Sequence, residues 1–298
     1  MTIYKAYDIR GLYPGEFDEG KSRAIAAAFV DYLGAKRILV GRDMRTHSPG
    51  LAAAAIEGAT AAGADVVDVG LVTTPMSYFG VGRLGLDGGL MITASHNPAS
   101  YNGLKLCGSG AGPISGDKGI PEIAERVAKG RPKPAAEKGV VTALSLDADY
   151  VAHVAGLARK GKALTVAVDG ANGMGGPIAL AILARLGHAV APLYIEPDGR
   201  FPNHEANPLK AENLRDLQAL VRKTGADLGI ALDGDADRSI VVDERGEAVP
   251  NDFLCALLAR SALARHPGAA IAYDLRSSWI LKEEIEKAGG VPVRERVG

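Results

Sequence analysis

Leu228-Gly-Ile-Ala-Leu232, Asp233-Gly-Asp235-Ala-Asp237-Arg238 and Ser239-Ile-Val-Val-Asp243 follow one another without a break. The outer pieces read as buried strands, so the three aspartates sit where a strand ends. In α/β folds that is where ligands bind. If the segment is near-extended, alternate residues project to one side and the three carboxylates converge. Like charges so close resist joint ionisation, and a divalent cation relieves them. All-oxygen ligands select a hard ion, Mg²⁺ or Ca²⁺, over zinc or copper. Asp-Gly is also a common turn dipeptide, and a tight hairpin of solvated charges competes with the metal site. An EF-hand loop is rejected. Asp233, Asp235, Asp237 and Glu244 fit its first, third, fifth and twelfth positions, but Arg238 stands where the sharp turn needs glycine.

Working outward, one pattern recurs three times: apolar strand, helical stretch, glycine, second apolar strand. It runs from Arg37-Ile-Leu-Val-Gly41 through 49–62 to Gly63-Ala-Asp-Val-Val-Asp-Val-Gly70. It returns from Leu164-Thr-Val-Ala-Val168 through 176–186 to Gly187-His-Ala-Val-Ala-Pro192, and again from Ala270-Ile-Ala-Tyr-Asp274 through 278–288 to Gly289-Gly-Val-Pro-Val293. Each copy is a β-α-β unit with glycine as the helix C-cap. The fold class is therefore α/β: tandem related domains, their mixed sheets sandwiched by helices. The polar, proline-bearing stretch 129–146 reads as a linker, a helix-like run over 147–159 opens the second unit, and the turn Glu244-Arg-Gly-Glu247 opens the third. The domains predicted are 1–140, 147–244 and 245–298. The third has a helix at 251–264 and one β-α-β, and is expected to be incomplete. Its helix then lacks cover for Phe253, Leu254, Leu257 and Leu258, and strand 291–296 exposes an edge. Such surfaces predict self-association through 251–298, or poor order there.

Among 298 residues, 47% are hydrophobic and 23% charged, an ordinary soluble composition long enough for two or more domains. A net charge of −1 gives no electrostatic reason to expect nucleic acid or an anionic membrane as partner. Cys107 and Cys255 are the only cysteines and lie in no motif, which argues against a disulfide framework or zinc site and suits a reducing cytoplasm. The N-terminus lacks a signal-peptide apolar core, and no uninterrupted apolar run reaches membrane-spanning length. A cytoplasmic location is expected.

Gly88-Gly-Leu-Met-Ile-Thr93 reads as a strand that runs into Ala94-Ser95-His96-Asn97-Pro98 and then Tyr101-Asn-Gly-Leu-Lys105. Ser95 thus lies on a loop just past a strand, where a side chain can be presented. His96 and Lys105 are proton-transfer candidates beside it. Taken alone, Ser and Asn before Pro are more often plain turn residues. Arg42 and Arg45 flank Asp43 at a strand's end and either hold an anion or pair with that aspartate. Gly170-Ala-Asn-Gly173-Met-Gly-Gly176 lacks the lysine of a P-loop and reads as a tight strand-to-helix turn.

Read together and in order, Tyr7-Asp-Ile-Arg10-Gly, Thr93-Ala-Ser-His-Asn-Pro98, Tyr101-Asn-Gly-Leu-Lys105, Asp198-Gly-Arg-Phe-Pro-Asn-His204, Asn207-Pro-Leu-Lys210 and Asp233-Gly-Asp-Ala-Asp-Arg238 resemble the α-D-phosphohexomutase family. The match is closest to its phosphomannomutase/phosphoglucomutase branch and runs from Tyr4 to the end. The resemblance implies that Ser95 is the phosphoserine and that Asp233, Asp235 and Asp237 hold Mg²⁺, a Ser95 phosphate oxygen completing the site. It implies Arg238 beside that phosphate, Lys105 and His96 as general acid and base, Arg10 and Tyr7 in the same cleft, and Arg276 toward the sugar. The implied reaction interconverts hexose 1-phosphate and hexose 6-phosphate, of mannose and/or glucose, through a hexose 1,6-bisphosphate. The family's Gly-Glu-x-Ser-Gly-His sugar loop and its fourth-domain phosphate-gripping loop have no counterpart here, which predicts weak turnover. Two alternatives stay open: a phosphoglucosamine mutase, and a truncated non-catalytic protein that binds phosphosugar and metal.

Overall fold

In a computed structural model, residues 3–130, 132–158 and 161–297 are described. The chain builds three sheets in succession. The first unit runs β1 (Ile9–Leu12), α1 (Glu19–Leu33), β2 (Arg37–Arg42), α2 (Ser48–Ala61), β3 (Asp65–Leu71), α3 (Thr74–Leu84), β4 (Gly88–Ile92), β5 (Tyr101–Gly108), α4 (Ile120–Ala128) and β6 (Val141–Ala143). Its sheet has the order β1-β5-β4-β2-β3-β6. The central strands are parallel, and β5 is antiparallel to both β4 and β1. A parallel strand covered on both faces is apolar throughout, and β4 is buried at every position. The stretch 129–146 is not linker alone: its residues 141–143 form β6, which extends the sheet alongside β3.

The second unit comprises α5 (Asp147–Leu157), β7 (Thr165–Asp169), α6 (Gly175–Arg185), β8 (Ala189–Leu193), α7 (Arg215–Thr224), β9 (Leu228–Leu232), β10 (Ser239–Val242) and β11 (Ala248–Val249). Its sheet order is β11-β10-β9-β7-β8. The third unit has α8 (Asn251–Leu263), β12 (Ala270–Asp274), α9 (Trp279–Lys287) and β13 (Val291–Glu295), with β12 and β13 paired in parallel. Its core is small: Ala256, Ala259 and Leu263 meet Leu281 and Ile285. Phe253, Leu257 and Leu258 face outward.

The recurring β-α-β pattern is present in all three units. Its glycines lie one position later than expected. Ala62, Leu186 and Ala288 are the C-caps, and Gly63, Gly187 and Gly289 follow them with φ of 90°, 82° and 76°. A left-handed residue just past the cap is where glycine carries no Cβ penalty.

Candidate active site

Two loops meet where the first and second sheets face each other. The first follows β4 and carries Ser95, held in the left-handed region (φ 51°) with its N–H donating to Thr93 Oγ1 at 2.9 Å. The second joins β9 to β10 and carries the three aspartates. It is not the extended run that alternate spacing suggests. β9 and β10 are antiparallel, and between them the chain turns through Ala236 at φ 60°. Asp233 Oδ1 accepts the N–H groups of Asp237 and Arg238, each at 3.1 Å, which folds the loop over its own first carboxylate. The hairpin alternative is thus right about the turn and wrong about solvation. Asp233 and Asp235 are fully buried; Asp237 is exposed. One oxygen from each carboxylate falls within a 4.8 Å span.

Ser95 Oγ donates to Asp233 Oδ2 at 2.8 Å and lies 3.3 Å from His96 Nδ1. Asp235 Oδ2 accepts from Thr74 Oγ1 and from Lys105 Nζ, both at 2.6 Å, and Lys105 also contacts Asp237 Oδ2. Arg10, from β1, binds Asp8 and reaches Asn97 Oδ1 (2.6 Å) and the Ala94 carbonyl (3.1 Å), bracing the serine loop. Arg238 donates to His96 Nδ1 at 3.0 Å. Above Ser95 lies a cleft of about 420 Å³ lined by Tyr7, Arg10, His96, Asn97, Tyr101 and Arg238; Ser95 itself is covered.

The electrostatics follow from this crowding. Burial, then the charges of Asp235 and Asp237, push Asp233 up to about 7. Burial works against ionisation of Asp235 too, but Lys105 prevails and holds it below the usual carboxylate range. Burial also opposes the Lys105 ammonium, yet Asp235 and Asp237 outweigh it and raise its pKa. Burial beside Arg238 and Arg10 lowers His96 to about 4, so its ring is neutral at neutral pH. Asp235 Oδ1 is buried with no hydrogen-bond partner among the described residues. An orphaned carboxylate oxygen, in an all-oxygen set whose members resist joint ionisation, fits a hard divalent cation.

Seven of the expected side chains therefore converge: Ser95, His96, Lys105, Asp233, Asp235, Asp237 and Arg238, with Arg10 supporting them. Tyr7 lies at the cleft's outer side, where its hydroxyl donates to the Val297 carbonyl at 3.0 Å. Arg276 does not line the cleft; it is exposed and bound to Asp274 at 2.7 Å. No sequence motif singles out Thr74. It opens α3, and its N–H also donates to the Asp235 carbonyl at 3.0 Å. Thr73-Thr74-Pro75 signals a helix start and nothing about which carboxylate it meets. Of the arginine pair, Arg45 binds Asp43 at 3.1 Å and is buried. The glycine turn after β7 supports the aspartate loop, Met174 N–H donating to the Gly234 carbonyl at 2.9 Å.

A buried serine thus faces a carboxylate triad across two tandem α/β sheets. Residues 1–133 match the α/β/α domain I of phosphoglucomutase/phosphomannomutase, and residues 148–246 match domain II. The chain is 39% identical to a phosphomannomutase of Salmonella typhimurium, spanning all of this chain and 67% of that one. It is 38% identical to a phosphoglucomutase of Neisseria gonorrhoeae, over 99% of this chain and 65% of the relative. The crystal structure of a phosphoglucomutase/phosphomannomutase family protein from Burkholderia thailandensis superimposes with a TM-score of 0.94 at 35% identity, over 100% of this chain and 67% of that one. The chain belongs to the phosphoglucomutase/phosphomannomutase family of α-D-phosphohexomutases. It is an isomerase of the phosphohexose mutase type.

Proposed function

We propose that phospho-Ser95 gives its phosphoryl group to the free hydroxyl of a hexose monophosphate, glucose or mannose, and reclaims the other phosphate of the hexose 1,6-bisphosphate so formed. Hexose 1-phosphate and hexose 6-phosphate are thereby interconverted. The observation that carries this is Ser95 Oγ at 2.8 Å from Asp233 Oδ2, beneath a cleft edged by Arg10, His96 and Arg238.

In the forward step the sugar oxygen attacks phosphorus and the P–Oγ bond breaks, its electron pair staying on Ser95. Lys105 and His96 act as general acid and base at the sugar hydroxyls; the proton that neutral His96 takes from the attacking hydroxyl passes to Ser95 Oγ, 3.3 Å from its Nδ1. The reclaiming step runs these transfers in reverse and restores both residues. Arg238 balances the charge of phospho-Ser95, about −1.5 to −2 at neutral pH. Asp233, Asp235 and Asp237, with a Ser95 phosphate oxygen, are the residues that would hold Mg²⁺. Bound there, the ion supplies positive charge to the transferring phosphoryl group. Tyr7 serves the sugar from the outer side. Two thiols without a disulfide, Cys107 and Cys255, support a cytoplasmic setting, and no helix among the described residues is long and apolar enough to cross a membrane.

Intact-mass measurement after incubation with glucose 1,6-bisphosphate tests this. Wild type gains one phosphate and Ser95→Ala gains none; a phosphate that persists in Ser95→Ala overturns the assignment. Calorimetric Mg²⁺ binding is lost in Asp235→Ala, and binding that survives contradicts the metal set.

A further inference from the structure

Arg45 follows β2 and does not itself line the cleft. It is 1% exposed, yet every one of its side-chain N–H directions has an acceptor. Nε donates to Asp43 Oδ2 at 3.1 Å. Nη1 donates to the carbonyls of Pro98 (2.7 Å) and Tyr101 (3.0 Å), and Nη2 to those of Ser95 (2.8 Å) and Asn97 (2.6 Å). Four carbonyls of one loop converge on one guanidinium. The next carbonyl of that loop is also held: His47 Nε2 lies 3.0 Å from Ala99 O. Its Nδ1 faces Asn102 Nδ2 at 2.8 Å, which makes Nε2 the protonated nitrogen. The second unit closes the far side. The Phe201 ring covers the guanidinium at 5.1 Å, and Gly199 lies so near that a Cβ there would be 2.5 Å from Arg45 Cα.

Five donors in a fixed planar fork are peculiar to arginine; lysine has three on a swivelling point charge. A loop needing four carbonyls held at once in one geometry uses that fork fully. Phosphoryl transfer depends on in-line placement more than on covalent help from the protein. Whatever fixes the Ser95 backbone therefore fixes the reaction geometry.

We propose that Arg45, seconded by His47, is a positioning residue for phosphoryl transfer: it sets Ser95 against Asp233 through the loop's carbonyls and touches no substrate. This rests on Ser95 as the phosphoryl acceptor. The experiment follows Ser95 labelling by glucose 1,6-bisphosphate over time and concentration in wild type, Arg45→Lys, Arg45→Ala and His47→Phe, with melting curves for each. His47→Phe keeps a ring stacked on Tyr13, 4.5 Å away, and removes the donor to Ala99. The maximal labelling rate falls on the order of 100-fold in Arg45→Lys, as a misplacement near 1 Å produces. His47→Phe shows a smaller fall of the same kind. The bisphosphate concentration giving half-maximal rate does not change, because the cleft residues stay. Added ethylguanidinium restores labelling in Arg45→Ala, and ethylammonium does not. Wild-type rates in Arg45→Lys, or equal response to the two cations, overturn the proposal. Should the Arg45 variants fail to fold, a wild-type maximal rate in His47→Phe overturns it. An unlabelled wild type instead refutes the Ser95 assignment on which it stands.

Discussion

Gly234 governs how closely the serine and aspartate loops approach. A Cβ there would lie 2.5 Å from the Ser95 carbonyl oxygen, and backbone cannot yield as a side-chain end can. Gly234→Ala should force the loops apart, stretch the 2.8 Å Ser95–Asp233 hydrogen bond and destabilise the fold by about 1–3 kcal/mol, the usual cost of overpacking. Thermal melting and Ser95 labelling check this together; wild-type melting and labelling in the Gly234→Ala variant would show that the approach is not tight. The neighbouring charges depend on the same closeness. Burial, then the charges of Asp235 and Asp237, push Asp233 up to about 7, while the Ser95 hydrogen bond works against that shift.

Between elements, the end of β7 is tied to the segment 198–207 by a proton. His204 Nε2 lies 3.0 Å from buried Asp169 Oδ2, and Nδ1 lies 2.8 Å from the Glu205 carbonyl oxygen. Acceptors at both ring nitrogens favour the imidazolium. Burial lowers the His204 pKa, but Asp169 and the Glu205 carbonyl more than compensate, and the net shift is upward from 6.5. A folded-state pKa above the unfolded one contributes stability that is fully present below 6.5 and is lost as pH rises through the raised value. Urea unfolding from about pH 6 to pH 9 should therefore show wild type losing stability across that window, and His204→Gln losing less. Parallel profiles for the two proteins exclude the link. The same loop packs Phe201 on Arg45, so its anchorage bears on the seam between the first two units.

On the scale of the whole molecule, the third unit differs from the other two. A two-stranded sheet is marginal without cover. Its helix α8 spends Ala256, Ala259 and Leu263 on a small core, while Phe253 (48%), Leu257 (59%) and Leu258 (62%) stay exposed. Tyr7–Val297 and Arg296–Asp117 tie this unit to the first across the cleft's outer side. Exposed apolar side chains on one helix favour association. This chain should self-associate through 251–298, with a scattering mass that rises with concentration and falls back in Phe253→Glu/Leu257→Glu. A concentration-independent monomer mass in the parent protein sinks that expectation.

What the sequence by itself determined is local. Apolar runs bounded by glycine define the β-α-β units, because helix and strand periods and positive-φ positions are written in neighbouring residues. Ser95 on a post-strand loop and the aspartate trio are legible for the same reason, and the order of the motifs carries the family. Tertiary structure alone decided which of two local readings held and which distant groups met. The aspartates converge through a turn at Ala236 rather than by extended alternation, and the two buried ones meet Ser95, Thr74 and Lys105 of the first unit. In sequence Arg45 reads equally as an anion holder or as a partner of Asp43, and it does pair with Asp43. It becomes a carbonyl clamp only when the loop some 50 residues later folds over it. Thr74 meets Asp235, 161 residues away. Local propensity has a range of a few residues, and the contacts that tune charge and geometry at this site are set by how the first two sheets face each other.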